Sequence, residues 1–256
     1  MFRMRGQRTG CMEAVTVSKI PVIEIFGPTI QGEGAVIGVK TMFVRTYGCD
    51  YRCSWCDSAF TWDGSAKDNV RMMEPEEIMN ELLALAGNNF NSVTISGGNP
   101  ALMGSSMAEF VDLLHERGIQ AAVETQGSRW RDWFYEIDAL TISPKPPSSG
   151  MKTDWEMLES IMAKLKEQGK GAHSLKVVVF NEEDYAYAKS VHQRYPGVPL
   201  FLQPGNEDVT EPGDISARLL GRLEWLFNLV IADQEMNRVR VLPQLHALIW
   251  HNKRGK

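Results

Sequence analysis

The strongest constraint on this chain is a repeated event: short apolar runs that stop abruptly in loops of unusual composition. "TMFVRTY" (41–47) leads straight into a cysteine cluster, "SVTISGG" (92–98) ends on paired glycines, and "IQAAVETQG" (119–127) on a single one. "DALTISPKPP" (138–147) ends in prolines and "VPLFLQP" (198–204) in "GN", while "HSLKVVVF" (173–180) is a further strand. Helical patterns fill the intervals at 74–87, 106–118, 152–169, 184–195 and 215–230, the first with acidic residues in its opening turn and Gly87 at its end. Residues 238–250 read as a strand or the entry to a helix. About six β–α units predict an α/β single domain with a parallel sheet covered by helices. An open doubly wound sheet and a partial barrel both fit, and the units are too few for a full TIM barrel. In either fold the loops after the strands converge on one edge, where sites are built.

Composition removes several function classes. A net charge of −5 argues against a broad nucleic-acid footprint, which would show as a basic face. No apolar run approaches the ~20 residues that cross a bilayer. The arginine-bearing start lacks the apolar stretch of a secretory signal, so a cytoplasmic protein is expected. Residues 1–19 are poorly patterned and read as a leader outside the fold, with residues 20–256 forming the folded core; Cys11, in that leader, reads as a free thiol.

The loop "YGCDYRCSWCDS" (47–58) places Cys49, Cys53 and Cys56 together in a chain with four cysteines in all. Clustered thiols in a reducing compartment point to a metal site rather than a disulfide framework. On a helix the three would share a face, but their neighbours give no apolar stripe. A zinc site would need a fourth ligand from Asp57, His115 or His246. An iron–sulfur cluster fits best, because thiolates are its ligands and three of them leave one iron open.

The CxxxCxxC spacing, with Trp55 just before the last cysteine, resembles the signature of the radical S-adenosylmethionine superfamily. Together with "FGPTIQGEG" (26–34), "TISGGNPAL" (94–102), "ETQG" (124–127), "TISPKPPS" (141–148) and "LQP" (202–204), it looks like the 7-carboxy-7-deazaguanine synthases. The likeness spans nearly everything from residue 20 onward, and "RVLPQLHALIWHNKRG" resembles a Gram-positive branch. It implies a partial (β/α)6-type radical SAM barrel with a C-terminal segment that closes over the substrate. The implied reaction turns 6-carboxy-5,6,7,8-tetrahydropterin into 7-carboxy-7-deazaguanine with loss of ammonia, a step toward queuosine. The implied cofactors are a 4Fe-4S cluster, S-adenosylmethionine (SAM), whose reductive cleavage yields a hydrogen-abstracting radical, and Mg²⁺. A flavodoxin-like electron donor and a homodimer are implied as partners.

Residue by residue, the resemblance implies cluster ligation by Cys49, Cys53 and Cys56. It implies Mg²⁺ binding by Ser58, whose hydroxyl suits that hard cation although threonine is usual in the family. Gly97, Gly98, Ser143, Pro144 and Lys145 would contact SAM, and Ile30, Gln31, Gly32, Arg45 and Ser96 the substrate. Arg45 offers a guanidinium to the pterin carboxylate. Glu33, Asn99, Glu124, Gln203 and His246 complete the candidates. Most superfamily members carry glutamate where this chain has Asn99. No side-chain catalytic acid–base pair is expected, since the cofactor supplies the difficult chemistry.

Overall fold

The computed structural model describes residues 18–167, 169 and 173–255. Seven parallel strands form most of one sheet: β2 (Lys40–Thr46), β4 (Ser92–Gly97), β5 (Gln120–Thr125), β6 (Ala139–Ile142), β7 (His173–Val179), β8 (Leu200–Pro204) and the short β9 (Arg240–Val241). Two antiparallel strands extend it beside β2, β1 (Ile20–Ile30) and then β3 (Arg71–Met73), giving the order β3-β1-β2-β4-β5-β6-β7-β8-β9. The edges β3 and β9 do not pair with each other, so the barrel is open.

The helices are α1 (Pro75–Ala86), α2 (Ser105–Glu116), α3 (Trp155–Glu167), α4 (Glu182–Arg194), α5 (Ser216–Ile231) and α6 (Leu245–Trp250). Local sequence explains their limits. Pro75 opens α1 inside a reciprocal capping box of Glu74 and Glu77, and Gly87 ends it at φ +56°.

Strand alternation decides between the two architectures left open above. Met42, Val44, Val93, Ile95, Ala121, Val123, Leu140, Ile142, Leu175, Val177 and Leu202 belong to one apolar cluster with buried side chains from α1 to α5. The alternate residues Phe43, Arg45, Ser96, Glu124, Lys176 and Val178 line a pocket on the other face. A doubly wound sheet would bury both faces under helices. Here helices cover one face only, which is the partial barrel.

The strands and helices read from the sequence are all present, and the 238–250 segment supplies both a strand, β9, and a helix, α6. β1 and β3 are additions that periodicity did not reveal. β1 is 11 residues long, yet it slips register against β2 between Val22 and Glu24 and again between Phe26 and Thr29. Those irregularities hide its alternation. Of the expected leader, residues 1–17, Cys11 among them, lie outside the described residues. Lys19 already contacts the fold, its Nζ 3.5 Å from Glu74. Among the described residues, no helix is long and apolar enough to cross a membrane.

Candidate active site

Cys49, Cys53 and Cys56 follow β2 and all line the same pocket, as free thiols. Their loop is held from two sides. On one side, backbone meets backbone: Gly98 donates to the Thr46 carbonyl at 3.0 Å and Asn99 to that of Gly48 at 2.8 Å. A Cβ at Gly98 would lie 2.0 Å from the Gly48 oxygen, and one at Gly97 (φ +121°) 2.3 Å from that of Thr46. The paired glycines thus have a structural reason to be glycine before any ligand is considered. On the other side, Trp55 donates from Nε1 to Ser148 Oγ at 2.9 Å and packs on Phe180 with ring centroids 4.9 Å apart. Ser148 donates its hydroxyl to the buried Asp184 at 2.6 Å.

The thiols suit a polynuclear cluster. A single tetrahedral zinc would bring its sulfurs within roughly 4 Å of one another. Among the described residues, the one set of three candidate ligand atoms within 4.8 Å of each other is Glu33, Asp57 and His246, which contains no cysteine. His115 is occupied elsewhere, with Nε2 2.9 Å from Asp138. N–H groups point at the sulfurs instead: Tyr51 N and Gln126 Nε2 at Cys49 (3.4 and 3.7 Å), and Trp62 Nε1 at Cys56 (3.4 Å). Such donors tune cluster thiolates. Burial raises all three thiols, Cys53 to about 11, so a metal cluster bound there would be what keeps them as thiolates.

Ile30, Gln31, Gly32, Glu33, Arg45, Ser58, Ser96, Gly97, Gly98, Glu124, Ser143, Lys145 and His246 all line this pocket with the cysteines. Pro144 is buried beside it and is not among the lining residues. Lys145 donates to Ser143 Oγ at 3.1 Å. Arg45 has a protein partner, Glu24 at 3.2 Å, and its guanidinium stands over Phe26 and Phe60 at 5.1 and 5.8 Å. Ser58 Oγ lies 3.0 Å from Asp57 Oδ1, so a hydroxyl and a carboxylate oxygen meet at one spot.

Two further candidates also lie outside the lining. Gln203 is fully buried, pairs with Val178 on the pocket-facing side of the sheet, and has no hydrogen-bond partner for either amide atom among the described residues. Asn99 is engaged inside the protein. Its Nδ2 donates to Asp50 and Ser128, and its Oδ1 accepts from Ala101 N and Thr125 Oγ1. With its amide groups all hydrogen-bonded inside the protein, Asn99 braces the cysteine loop through Asp50.

Several site residues were missed. Gln126 donates at 2.5 Å to Asp50, joining that brace. Gln244, just before α6, donates to Glu33 Oε1 at 2.8 Å. Lys176 on β7 is 2% exposed and bridges Glu33 and Glu124, with Nζ 2.5 Å from Glu33. Burial alone would raise the Glu33 pKa, but Lys176, His246 and the Lys176 and Gln244 hydrogen bonds hold it well below the usual carboxylate range. A lysine inside the apolar run "SLKVVV" was the available signal, of the same kind that singled out Arg45.

The family model described as the Radical SAM superfamily matches residues 43–192. A 7-carboxy-7-deazaguanine synthase of Bacillus cereus is 58% identical over 93% of this chain and 100% of its own length. The enzyme of the same name from Bacillus subtilis is 60% identical over 92% of this chain and 98% of its own. The crystal structure of QueE from Escherichia coli superposes with a TM-score of 0.64 at 22% identity, covering 89% of this chain and 95% of that one, a likeness of fold.

Proposed function

The chain belongs to the 7-carboxy-7-deazaguanine synthase family of the radical SAM superfamily, and from that premise we propose how its pocket is used. The substrate is 6-carboxy-5,6,7,8-tetrahydropterin, and the products are 7-carboxy-7-deazaguanine and ammonia. One observation carries this reading: the cysteine loop, the "IQG" segment and Arg45 open into a single pocket.

Cys49, Cys53 and Cys56 would hold a 4Fe-4S cluster, with SAM bound beside it in the same pocket. When bound, this pair supplies one-electron chemistry able to remove hydrogen from an unactivated carbon. The protein's part is to place and shield. Gly97 and Gly98 present backbone to the methionine portion, and Ser143 and Lys145 contact the cofactor beside them. Arg45, steadied by Glu24, meets the substrate carboxylate. Ile30, Gln31, Gly32 and Ser96 seat the ring, with Glu33 and Glu124 at its polar edge and His246 and Gln203 behind. Ser58 would offer Mg²⁺ a hard oxygen next to the Asp57 carboxylate, where the cation would help to orient the substrate carboxylate.

A flavodoxin-like donor supplies the electron, with the exposed Arg52 beside the cysteines as a docking point for an acidic protein. A homodimer is supported by Leu220, Phe227 and Ile231, apolar and exposed on α5. The location is cytoplasmic, where reduced thiols persist. The test is anaerobic turnover of the carboxypterin with and without Mg²⁺. Formation of 7-carboxy-7-deazaguanine is expected; cleavage of SAM without that product overturns the assignment.

A further inference from the structure

Lys176 is a costly residue to keep where it is. A buried ion pair is often no more stabilising than apolar residues of the same volume, so packing gives little reason for a lysine on β7. Its place in the pocket gives a better one. Glu33 arrives from the segment after β1, Glu124 from β5, and the Lys176 ammonium joins them on the pocket side of the sheet. Glu33 is further fixed by Gln244 at Oε1. Glu124 meets Lys176 through Oε1 and lines the pocket.

Two carboxylates brought together without a cation repel, and one of them takes a proton. A protonated carboxyl then presents an O–H as well as acceptors. With Lys176 between them, the ammonium offsets that repulsion, and the two side chains are placed to act as acceptors toward the pocket. An acceptor-only wall suits a ligand edge made of N–H donors and rejects one that presents a carbonyl.

We infer that Lys176 is a positioning residue that sets substrate specificity: it fixes Glu33 and Glu124 as a pair of acceptors for the amino-pyrimidinone N–H edge of the pterin. This rests on the pterin assignment above. The ammonium itself does not touch the substrate; it acts through the two carboxylates. The rejected class is the 2-oxo pteridines, whose carbonyl replaces the 2-amino group and faces the carboxylates with a lone pair.

The test compares 6-carboxypterin with 6-carboxylumazine, its 2-oxo counterpart, binding anaerobically to the reconstituted enzyme with SAM, followed by ligand fluorescence. Wild type is expected to favour the pterin by about tenfold or more, the usual scale of a hydrogen-bonded site left unpaired. Lys176→Met should reduce that preference to roughly threefold or less, mainly by weakening the pterin, with SAM affinity within about twofold of wild type. Equal weakening of both ligands, or an unchanged preference, overturns the role of Lys176. Glu124→Gln provides a second measurement that does not depend on the lysine variant folding. It puts an N–H donor where a carboxylate stood and should shift preference toward the lumazine; an unchanged preference overturns the inference. Failure of wild type to bind either ligand instead overturns the pterin assignment beneath it.

Discussion

A Cβ on Gly32 would lie 2.4 Å from Nδ1 of His246 and 2.7 Å from its backbone nitrogen. The same glycine accepts a hydrogen bond at its carbonyl from Leu245 N at 3.0 Å. The "IQG" segment and α6 therefore meet as a fitted pair. Gly32→Ala should push α6 off the pocket, raising KM for the carboxypterin well above its effect on SAM binding. Steady-state kinetics with each ligand varied in turn measures this. Equal changes in both would mean the contact does not serve the substrate side.

Replacing Cys53 with serine removes a ligand that is 8% exposed and sits in the middle of the loop. The fold should survive, because Cys53 makes none of the bonds that hold the loop to Gly98, Asn99 and Ser148. Bound iron after anaerobic reconstitution should fall several-fold, toward about a tenth of wild type, since a cubane held by only two thiolates is labile. Iron and sulfide analysis alongside circular dichroism separates the two effects. A full iron complement in the variant would overturn the ligand set.

Asp184 is fully buried and accepts from Phe180 N, Ser148 N and Ser148 Oγ. Asp184→Ala strands these donors and should cost about 3 kcal/mol, at the upper end for a buried network broken on one side. Trp55 loses its braced partner in the same change. The variant should therefore release iron faster than wild type under a chelator. Urea unfolding and chelation rates are the readouts, and an unchanged urea midpoint with an unchanged chelation rate would show the network is dispensable.

The Glu33–Lys176 pair sets a pH window. The Glu33 pKa is lowered in the fold from an ordinary value of 4.5, so its contribution is complete above that value and is lost as pH falls below it. The Lys176 pKa is raised above 10.5: burial would lower it, but Glu124 and Glu33 outweigh burial, so its contribution is complete below 10.5 and lost as pH rises further. Lys176→Met should thus destabilise by about 3–5 kcal/mol near neutrality, as when one partner of a buried pair is removed. The deficit should be largest where Glu33 is ionised in the variant and should begin to shrink already above pH 4.5 as pH falls, because burial without Lys176 raises the Glu33 pKa and the stranded carboxyl takes a proton. Denaturant unfolding at neutral and acid pH checks the sign; a deficit that grows in acid contradicts it.

Ser58→Ala removes the hydroxyl proposed for Mg²⁺ and leaves Asp57 in place. Turnover should become less responsive to added Mg²⁺, with half-saturation moved upward by roughly tenfold. Ser58→Thr should restore the wild-type response. A Mg²⁺ titration of all three proteins decides between a ligand and a turn residue.

Much of the scaffold was legible because parallel strands buried on both faces read as apolar runs and the loops after them are chemically distinctive. The cysteines, the paired glycines and Arg45 stood out for that reason, and the structure brings them to one pocket. What stayed hidden depended on partners distant in sequence. Asn99 stood out as a departure from the usual glutamate, and only the fold reveals that Asp50, Ser128, Ala101 and Thr125 hydrogen-bond its side chain. Lys176 lay in plain view within β7, but its meaning required Glu33, brought across the sheet by a strand whose own register slips twice.

The bond from Leu245 to Gly32 joins a late segment of the chain to an early one. The cysteine loop, by contrast, has its braces from Thr46, Asn99, Gln126, Ser148 and Asp184 once residue 184 is in place. The two halves of the pocket are thus fastened by separate sets of bonds. Loosening α6 from Gly32 would open the substrate wall and leave the braces of the cysteine loop in place.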